Sequence, residues 1–344
     1  MENVAIRTSD CARCTLCGSN GISIYTGRQD RLFGAPGLWD FKRCPNQKCG
    51  LIWLDPMPSR RDLGKAYANY YTHQAPTSGK RLELLRRMCK LMERGYWAGK
   101  YGYPITESML VKGIGKLLYF FPLRRRGSDE RVRFLHAVAD GRLLDVGCGS
   151  GESLLFMRGL GWQVEGIDFD ERAVQVAAQR GLQVSCGTLE QKGFPSANFH
   201  AVILNHVIEH LPDPVATLSE CARILRPGGR LVLFTPNSSS LGHRFFKGEW
   251  RGLEPPRHLH IFSMQSMNRI LELAGFQSIS IRPSIANSVI YESVLLSWGK
   301  SGFACASRRD SLAGAFAWLF NIVELCLIKW NPSVSDCLGA VAVK

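Results

Sequence analysis

Acidic residues are scarce in this chain: 29 Asp and Glu face 43 Lys and Arg, which leaves a formal charge of +14. Charge of either sign is sparse at 21% of residues, while 45% are apolar, so global disorder is excluded and a sizeable core is expected. No tandem repeat or low-complexity tract is present, and a repeat architecture is not expected. The opening stretch, Met1 to Arg7, lacks the apolar core of a secretory signal. Twelve cysteines in such a chain point to reduced thiols and metal binding rather than a disulfide framework, and hence to a cytoplasmic setting. Long apolar runs are missing too, with one partial exception at Ala313–Ile328. That window is short for a membrane span and is interrupted by Asn321 and Glu324, where a polar pair would be costly in lipid. A helix folded onto the protein, or lying on a membrane surface, is expected there rather than an anchor.

At 344 residues the chain exceeds one average domain and falls short of three. Residues 1–58 are rich in Cys, Gly and Pro and read as a small zinc-ribbon-like module. Residues 59–128 read as a basic helical connector, with aromatics at Tyr67, Tyr70, Tyr71, Tyr96, Trp97, Tyr101 and Tyr103. Between Lys80 and Gly127 stand twelve basic and three acidic residues, so +9 of the +14 sits in this segment. Charge so concentrated points to an anionic partner, with a solvated helical face as the plainer alternative. With the apolar stretch at 311–330, peripheral contact with an anionic membrane is one such expectation.

From about 129 to 285, strand-length apolar runs alternate with amphipathic segments, which predicts an α/β domain with a parallel sheet. The strands are expected at Arg142–Val146, Gln163–Ile167, Leu182–Ser185, Ala201–Leu204, Arg230–Phe234 and Gln277–Arg282. Helices should begin near Gly151, Glu171, Pro214 and Ser263, and Ser263 has the look of an N-cap. A helical insertion at 286–330 and a last core strand within 331–344 complete the division.

The chemistry begins at Asp145-Val146-Gly147-Cys148-Gly149-Ser150-Gly151, where a strand runs through Gly-x-Gly-x-Gly into a helix. Glycines there let the backbone turn tightly and bring helix N-terminal N–H groups to a ligand. The spacing differs from the dinucleotide fingerprint Gly-x-Gly-x-x-Gly, and Asp145 would oppose a pyrophosphate, so a cationic or amine-bearing ligand fits better. The next strand ends in Asp168, whose carboxylate can accept both hydroxyls of a ribose. Together these features predict a nucleoside ligand carrying positive charge.

On these residues, and on Asn205-His206-Val207-Ile208-Glu209-His210-Leu211-Pro212, Leu225-Arg226-Pro227-Gly228-Gly229 and Phe234-Thr235-Pro236-Asn237, the chain resembles the class I S-adenosylmethionine-dependent methyltransferases. The likeness is to their small-molecule branch, which includes ubiquinone O-methyltransferases and sugar or natural-product enzymes. It covers roughly 130–285 and the last strand. The resemblance implies a Rossmann-like, mostly parallel seven-stranded sheet with an antiparallel last strand. It implies S-adenosylmethionine as donor, with Gly147, Gly149 and Gly151 near its methionine part and Asp168 on its ribose. Thr188 and Leu189 after the third strand would lie near adenine, and Asn205 joins the donor contacts. Where the family often has an acidic residue at that turn, this chain has Thr188, which weakens the adenine assignment.

Methyl transfer from a sulfonium needs a nucleophile held in line and a base if that nucleophile is protonated, a role that falls most often to His. His258, in Pro255-Pro256-Arg257-His258-Leu259-His260, is the first choice and His210 the second, with Trp250 and Phe262 as walls for an acceptor. His206 and His210 flank Glu209, but the order His-Val-Ile-Glu-His is not that of a metalloprotease helix, and metal is not expected there. Metal is expected at Cys14-x₂-Cys17 and Cys44-x₄-Cys49, each pair followed by glycine. Four thiolates at this spacing suit a structural Zn²⁺, with Cys11 a rival ligand. Cys89, Cys186, Cys221, Cys305, Cys326 and Cys337 read as core thiols. The expected activity is methyl transfer to a small or lipid-linked acceptor such as a sugar or polysaccharide precursor. The alternatives are an RNA methyltransferase, against which stands the lack of an Asn-Pro-Pro-Tyr signature, and a non-catalytic binding module of the same fold.

Overall fold

The computed structural model describes residues 5–67, 83–106, 108–285, 287–300 and 311–344. Tyr70, Tyr71, Lys80, Arg81, Glu107 and Cys305 lie outside the described residues. Two compact units emerge: one takes the described parts of Met1–Tyr70, His206–Ser219 and Leu233–Ala342, the other those of Tyr71–Asn205, Glu220–Val232 and Val343–Lys344.

In the first unit, short strands β1 (Thr8–Ser9), β2 (Ile22–Arg28), β3 (Trp39–Arg43), β4 (Ile52–Leu54) and β5 (Met57–Pro58) occupy the N-terminal stretch. β2, β3 and β4 pair antiparallel, with Trp39, Phe41, Ile52, Trp53 and Leu54 buried. The fourth strand of that sheet comes from far along the chain: β11 (His260–Ile261) pairs antiparallel with β4, His260 opposite Trp53.

The second unit begins with α1 (Glu83–Tyr101), α2 (Met109–Gly115) and α3 (Pro122–Arg131). α1 and α2 cross at Gly95 and Gly115, where a Cβ on either would overlap the other helix's backbone. Asp129 gathers this region, its Oδ1 accepting from Tyr96, Tyr101 and Lys100 at 2.7–2.8 Å.

Then comes the large sheet. β6 (Arg142–Val146), β7 (Gln163–Asp168), β8 (Gln183–Cys186) and β9 (Phe199–Asn205) are parallel neighbours in the order β9-β6-β7-β8. β10 (Leu225–Pro236), β13 (Cys337–Val343) and β12 (Gln277–Ser284) extend it to seven, in the order β12-β13-β10-β9-β6-β7-β8. Gly228 N–H donates to Lys344 O and Asn237 N–H to Asp336 O, so β13 runs antiparallel to β10. The central strands read as unbroken apolar runs because both their faces are covered: Ala201 to Leu204 are all buried.

Between strands lie α4 (Glu152–Gly159), α5 (Glu171–Gln179), α6 (Leu189–Lys192), α7 (Pro214–Ile224), α8 (Leu241–Phe246) and α9 (Met264–Leu273). Ser263 caps α9 in a reciprocal capping box with Ser266. The last helices are α10 (Asn287–Ser297) and α11 (Ser311–Ile328). α11 is long and apolar enough to cross a membrane, yet it buries one stripe, Ala313, Ala317, Phe320, Glu324 and Ile328. Glu324, the residue that interrupted the apolar window, is buried and accepts from Asp336 N–H at 2.6 Å. Cys186 and Cys326 correct the expectation of core thiols, since both are exposed, whereas Cys221 and Cys337 are buried. Cys186 sits at the end of the edge strand β8, and Cys326 falls on the face of α11 opposite its buried stripe.

Candidate functional site: a glycine loop, a histidine cluster and a cysteine knuckle

The glycine loop joins β6 to α4. Gly147, Gly149 and Gly151 have φ of 74°, 53° and 81°, the left-handed region that glycine enters freely. At Gly151 space is short as well, since a Cβ there would overlap Leu182. Gly147 and Cys148 N–H donate to Ile167 O at 2.7 and 3.1 Å, which ties the loop to the end of β7. Asp168 closes that strand and is buried. Its Oδ2 accepts from Gly149 N–H at 2.8 Å and its Oδ1 from Asp170 N–H at 2.9 Å. Burial raises its pKa, partly offset by those backbone donors.

Asp145 is deeper still. Its Oδ1 is buried with no hydrogen-bond partner, and burial pushes the carboxyl up to about 6, against the pull of Arg133. A buried acceptor without a donor is costly, so an ammonium group reaching it would complete the site. Gly187 N–H donates to Asp168 O at 2.9 Å, which brings the next turn to the same strand end. There Thr188 spends its hydroxyl capping α6, in a box with Gln191, while Leu189 is buried. Asn205, at the end of β9, accepts on Oδ1 from Arg133 at 3.3 Å. Arg133 was passed over in the sequence. It and Phe134 both have positive φ, a conformation uncommon outside glycine, which no sequence pattern announces.

The first unit holds the candidate histidines, His206, His210 and His258. His206 directly follows Asn205 and has a φ of 56°. Its Nδ1 lies 3.2 Å from Oε1 of Glu209. Glu209 is completely buried, and its Oε2 has no partner. Burial would raise this carboxyl, but the His206 hydrogen bond and the nearby His210 and His258 rings outweigh it and hold it at about 2. His210 and His258, the two candidate bases, do come together, ring centroids 4.7 Å apart at 63°. Nδ1 of His210 faces Arg257 O at 3.0 Å and the Tyr67 hydroxyl at 2.9 Å. Nδ1 of His258 donates to Gly252 O at 2.7 Å, and its Nε2 is 3.3 Å from Glu254 Oε2. Burial lowers the His258 pKa to about 4, despite Glu254 and Glu209 nearby. Between them Arg257 is fully buried, held by Glu254 and Asp30 and lying 4.5 Å above the Phe33 ring. Trp250 is buried and stacked on His243, Phe262 is buried, and so is His260 in β11.

The four cysteines also converge. Cys14, Cys17, Cys44 and Cys49 place their sulfurs within 4.8 Å of one another. The closest pairs are Cys17–Cys44 at 3.3 Å and Cys14–Cys49 at 3.7 Å. Gly18 and Gly50 turn each knuckle at φ of 72° and 65°. Cys11 stands outside the cluster, its thiol directed to Arg13 O. Four thiols with three of them buried make a donor set suited to a soft, tetrahedral cation.

The sheet order, with the glycine loop between β6 and α4, defines a Rossmann-like α/β domain. In comparison with known proteins, residues 120–281 match the family described as "Methyltransferase domain". A "Probable S-adenosylmethionine-dependent methyltransferase" of Mycolicibacterium smegmatis is 32% identical over 176 residues, covering 51% of this chain and 65% of that protein. A ubiquinone biosynthesis O-methyltransferase of Thiobacillus denitrificans is 34% identical, covering 35% of this chain and 53% of that one. A protein of the same description from Xanthomonas oryzae is 40% identical, over 29% of this chain and 45% of its own. The chain thus spans between 45% and 65% of these curated relatives. Among solved structures, an S-adenosylmethionine-dependent methyltransferase from Archaeoglobus fulgidus is 20% identical, covering 59% of this chain and 86% of that one. Its TM-score is 0.42, a level at which function does not transfer. Residues 120–281 thus resemble a methyltransferase domain, and the relatives that match the chain are described as S-adenosylmethionine-dependent or ubiquinone O-methyltransferases.

Proposed function

We propose that the protein transfers a methyl group from S-adenosylmethionine to a small or lipid-linked acceptor, such as a sugar or polysaccharide precursor. The observation that carries the reading is the Asp145–Asp168 pair at the ends of β6 and β7, flanking three left-handed glycines. Asp168 would take the ribose hydroxyls, and Asp145 Oδ1 the donor's ammonium group. Arg133 would add a guanidinium for its carboxylate. When bound, the donor supplies an activated methyl on sulfur, and the chain's part is alignment and proton removal. The small-acceptor reading is supported by relatives described as ubiquinone biosynthesis O-methyltransferases.

Of the two candidate bases, His210 is half-buried and His258 buried, so His210 is the better placed to meet an acceptor hydroxyl. His258 would then position it. Zn²⁺ in the four-cysteine cluster has a structural role, since all four positions are filled by protein sulfur. The protein works in the cytoplasm, peripherally at an anionic membrane. That last reading is supported within the second unit by Met109, Leu110, Phe120, Phe121 and Leu123. All five are exposed, beside Lys112, Lys116 and Arg124 to Arg126.

Incubation with methyl-labelled donor and a panel of glycan, quinone and RNA acceptors tests the function. Label should pass to a small or lipid-linked acceptor at a rate insensitive to salt. Transfer to RNA that falls steeply with salt would replace this reading.

A further inference from the structure

We propose that Glu209, His210 and His258 form a site for a divalent metal ion, distinct from the four-cysteine cluster. Sequence order argued against metal here, because His206 and His210 do not make a helix-borne pair with Glu209. The fold changes the ligand set by bringing His258 from a loop 48 residues beyond His210. One potential ligand atom from each of Glu209, His210 and His258 lies within 4.8 Å of the other two.

Two observations bear on the site independently. Glu209 Oε2 is buried without any partner, although the same carboxylate's Oε1 is engaged by His206. An orphan anionic oxygen in the interior calls for a cation or donor that the protein itself does not supply. Second, His258 turns Nδ1 to Gly252 O, while Nδ1 of His210 meets both Arg257 O and the Tyr67 hydroxyl. A carbonyl only accepts, so in the neutral His258 ring Nδ1 carries the proton and Nε2 keeps its lone pair. This is the arrangement that fixes the tautomer of metal-ligating histidines.

Two imidazoles and one carboxylate suit Zn²⁺, Co²⁺, Fe²⁺ or Mn²⁺, and three protein ligands leave a position open to an exogenous oxygen. An acceptor hydroxyl bound there would lose its proton at lower pH. The inference goes beyond the methyl-transfer reading, replaces the general-base role of His210 with metal ligation, and is tested without donor or acceptor.

The metal-free 344-residue chain is titrated with Co²⁺ and followed by absorption. The cysteine cluster reports through thiolate-to-cobalt charge transfer, and a nitrogen–oxygen site reports only through weaker ligand-field bands. The expected result is a second equivalent without thiolate character. Glu209→Gln and His258→Ala should each weaken it at least about 10-fold while the thiolate band persists as evidence of a retained fold. Binding of thiolate-type cobalt alone, or a second equivalent of unchanged affinity in either variant, would overturn the proposal. If the thiolate band is missing, the cysteine reading fails by itself, and the nitrogen–oxygen equivalent still gives its own answer.

Discussion

Arg257 and Asp30, 227 residues apart in the chain, meet at 2.8 Å with both side chains buried. The same guanidinium donates to Glu254 at 2.7 Å and to Ala66 O at 3.0 Å. The residue beside candidate base His258 is therefore held by the N-terminal stretch. Asp30→Ala removes one partner of a buried charge and should cost about 3 kcal/mol or more in urea unfolding. Asp30 also accepts from the N–H groups of Leu32, Phe33 and Ala35, so Asp30→Asn should recover part of that loss. A loss under about 1 kcal/mol for Asp30→Ala would mean that Glu254 alone compensates Arg257.

Asp145 sets a conflict between stability and binding. Its carboxyl sits at about 6, above the ordinary range, so the folded chain holds that proton more tightly than the unfolded chain. Ionisation thus costs stability as pH rises through 6, and the cost vanishes below about 4. Asp145→Asn should raise the melting temperature of the ligand-free protein at pH 8, by up to about 3 kcal/mol in stability, and change little at pH 4. The same substitution should weaken donor binding. A variant less stable than the parent at pH 8 would show that the Arg133 pairing outweighs the burial cost.

Removal of metal from the cysteine cluster should reach the histidine loop. β4 lies between β3 and β11 in one sheet, and Ser263 donates to Cys49 O at 2.9 Å. Chelation, or Cys44→Ser, should speed amide exchange at Ile52 to Leu54 and at His260 and Ile261 together. Exchange confined to the cysteine knuckles would uncouple the two.

On the membrane reading, co-sedimentation with vesicles rich in anionic lipid should be lost when Arg124, Arg125 and Arg126 become Glu. Phe120→Ser with Phe121→Ser should weaken it too, and neutral vesicles should bind little. Equal binding to neutral vesicles would assign the attachment to apolar contact alone.

How legible all this was in the sequence depended on range. β6 was placed to the residue, β7 within one, and the start of α5 at Glu171, because a strand covered on both faces writes its own apolar run. β4 and β11 were missed: three and two residues long, they carry no period, and β11 is a strand only because β4 is present. Cys14, Cys17, Cys44 and Cys49 were readable because knuckle spacing is local. Glu209 was visible only as a neighbour of histidines, and its orphaned oxygen depends on burial. Asp30, Glu254 and Arg133 left no sequence signal, because their roles come from charges brought together across long stretches of chain. The exposure of Cys186 and Cys326 was likewise beyond composition.

The most direct test of the central claim is calorimetric titration of the chain with S-adenosylmethionine, alongside Asp168→Ala. The expected result is one donor per chain, with affinity at least about 10-fold lower in the variant, the loss of a charged hydrogen-bond acceptor. No binding to the parent protein, or equal affinity in the two, would contradict the assignment of the glycine loop and Asp168 as the donor site.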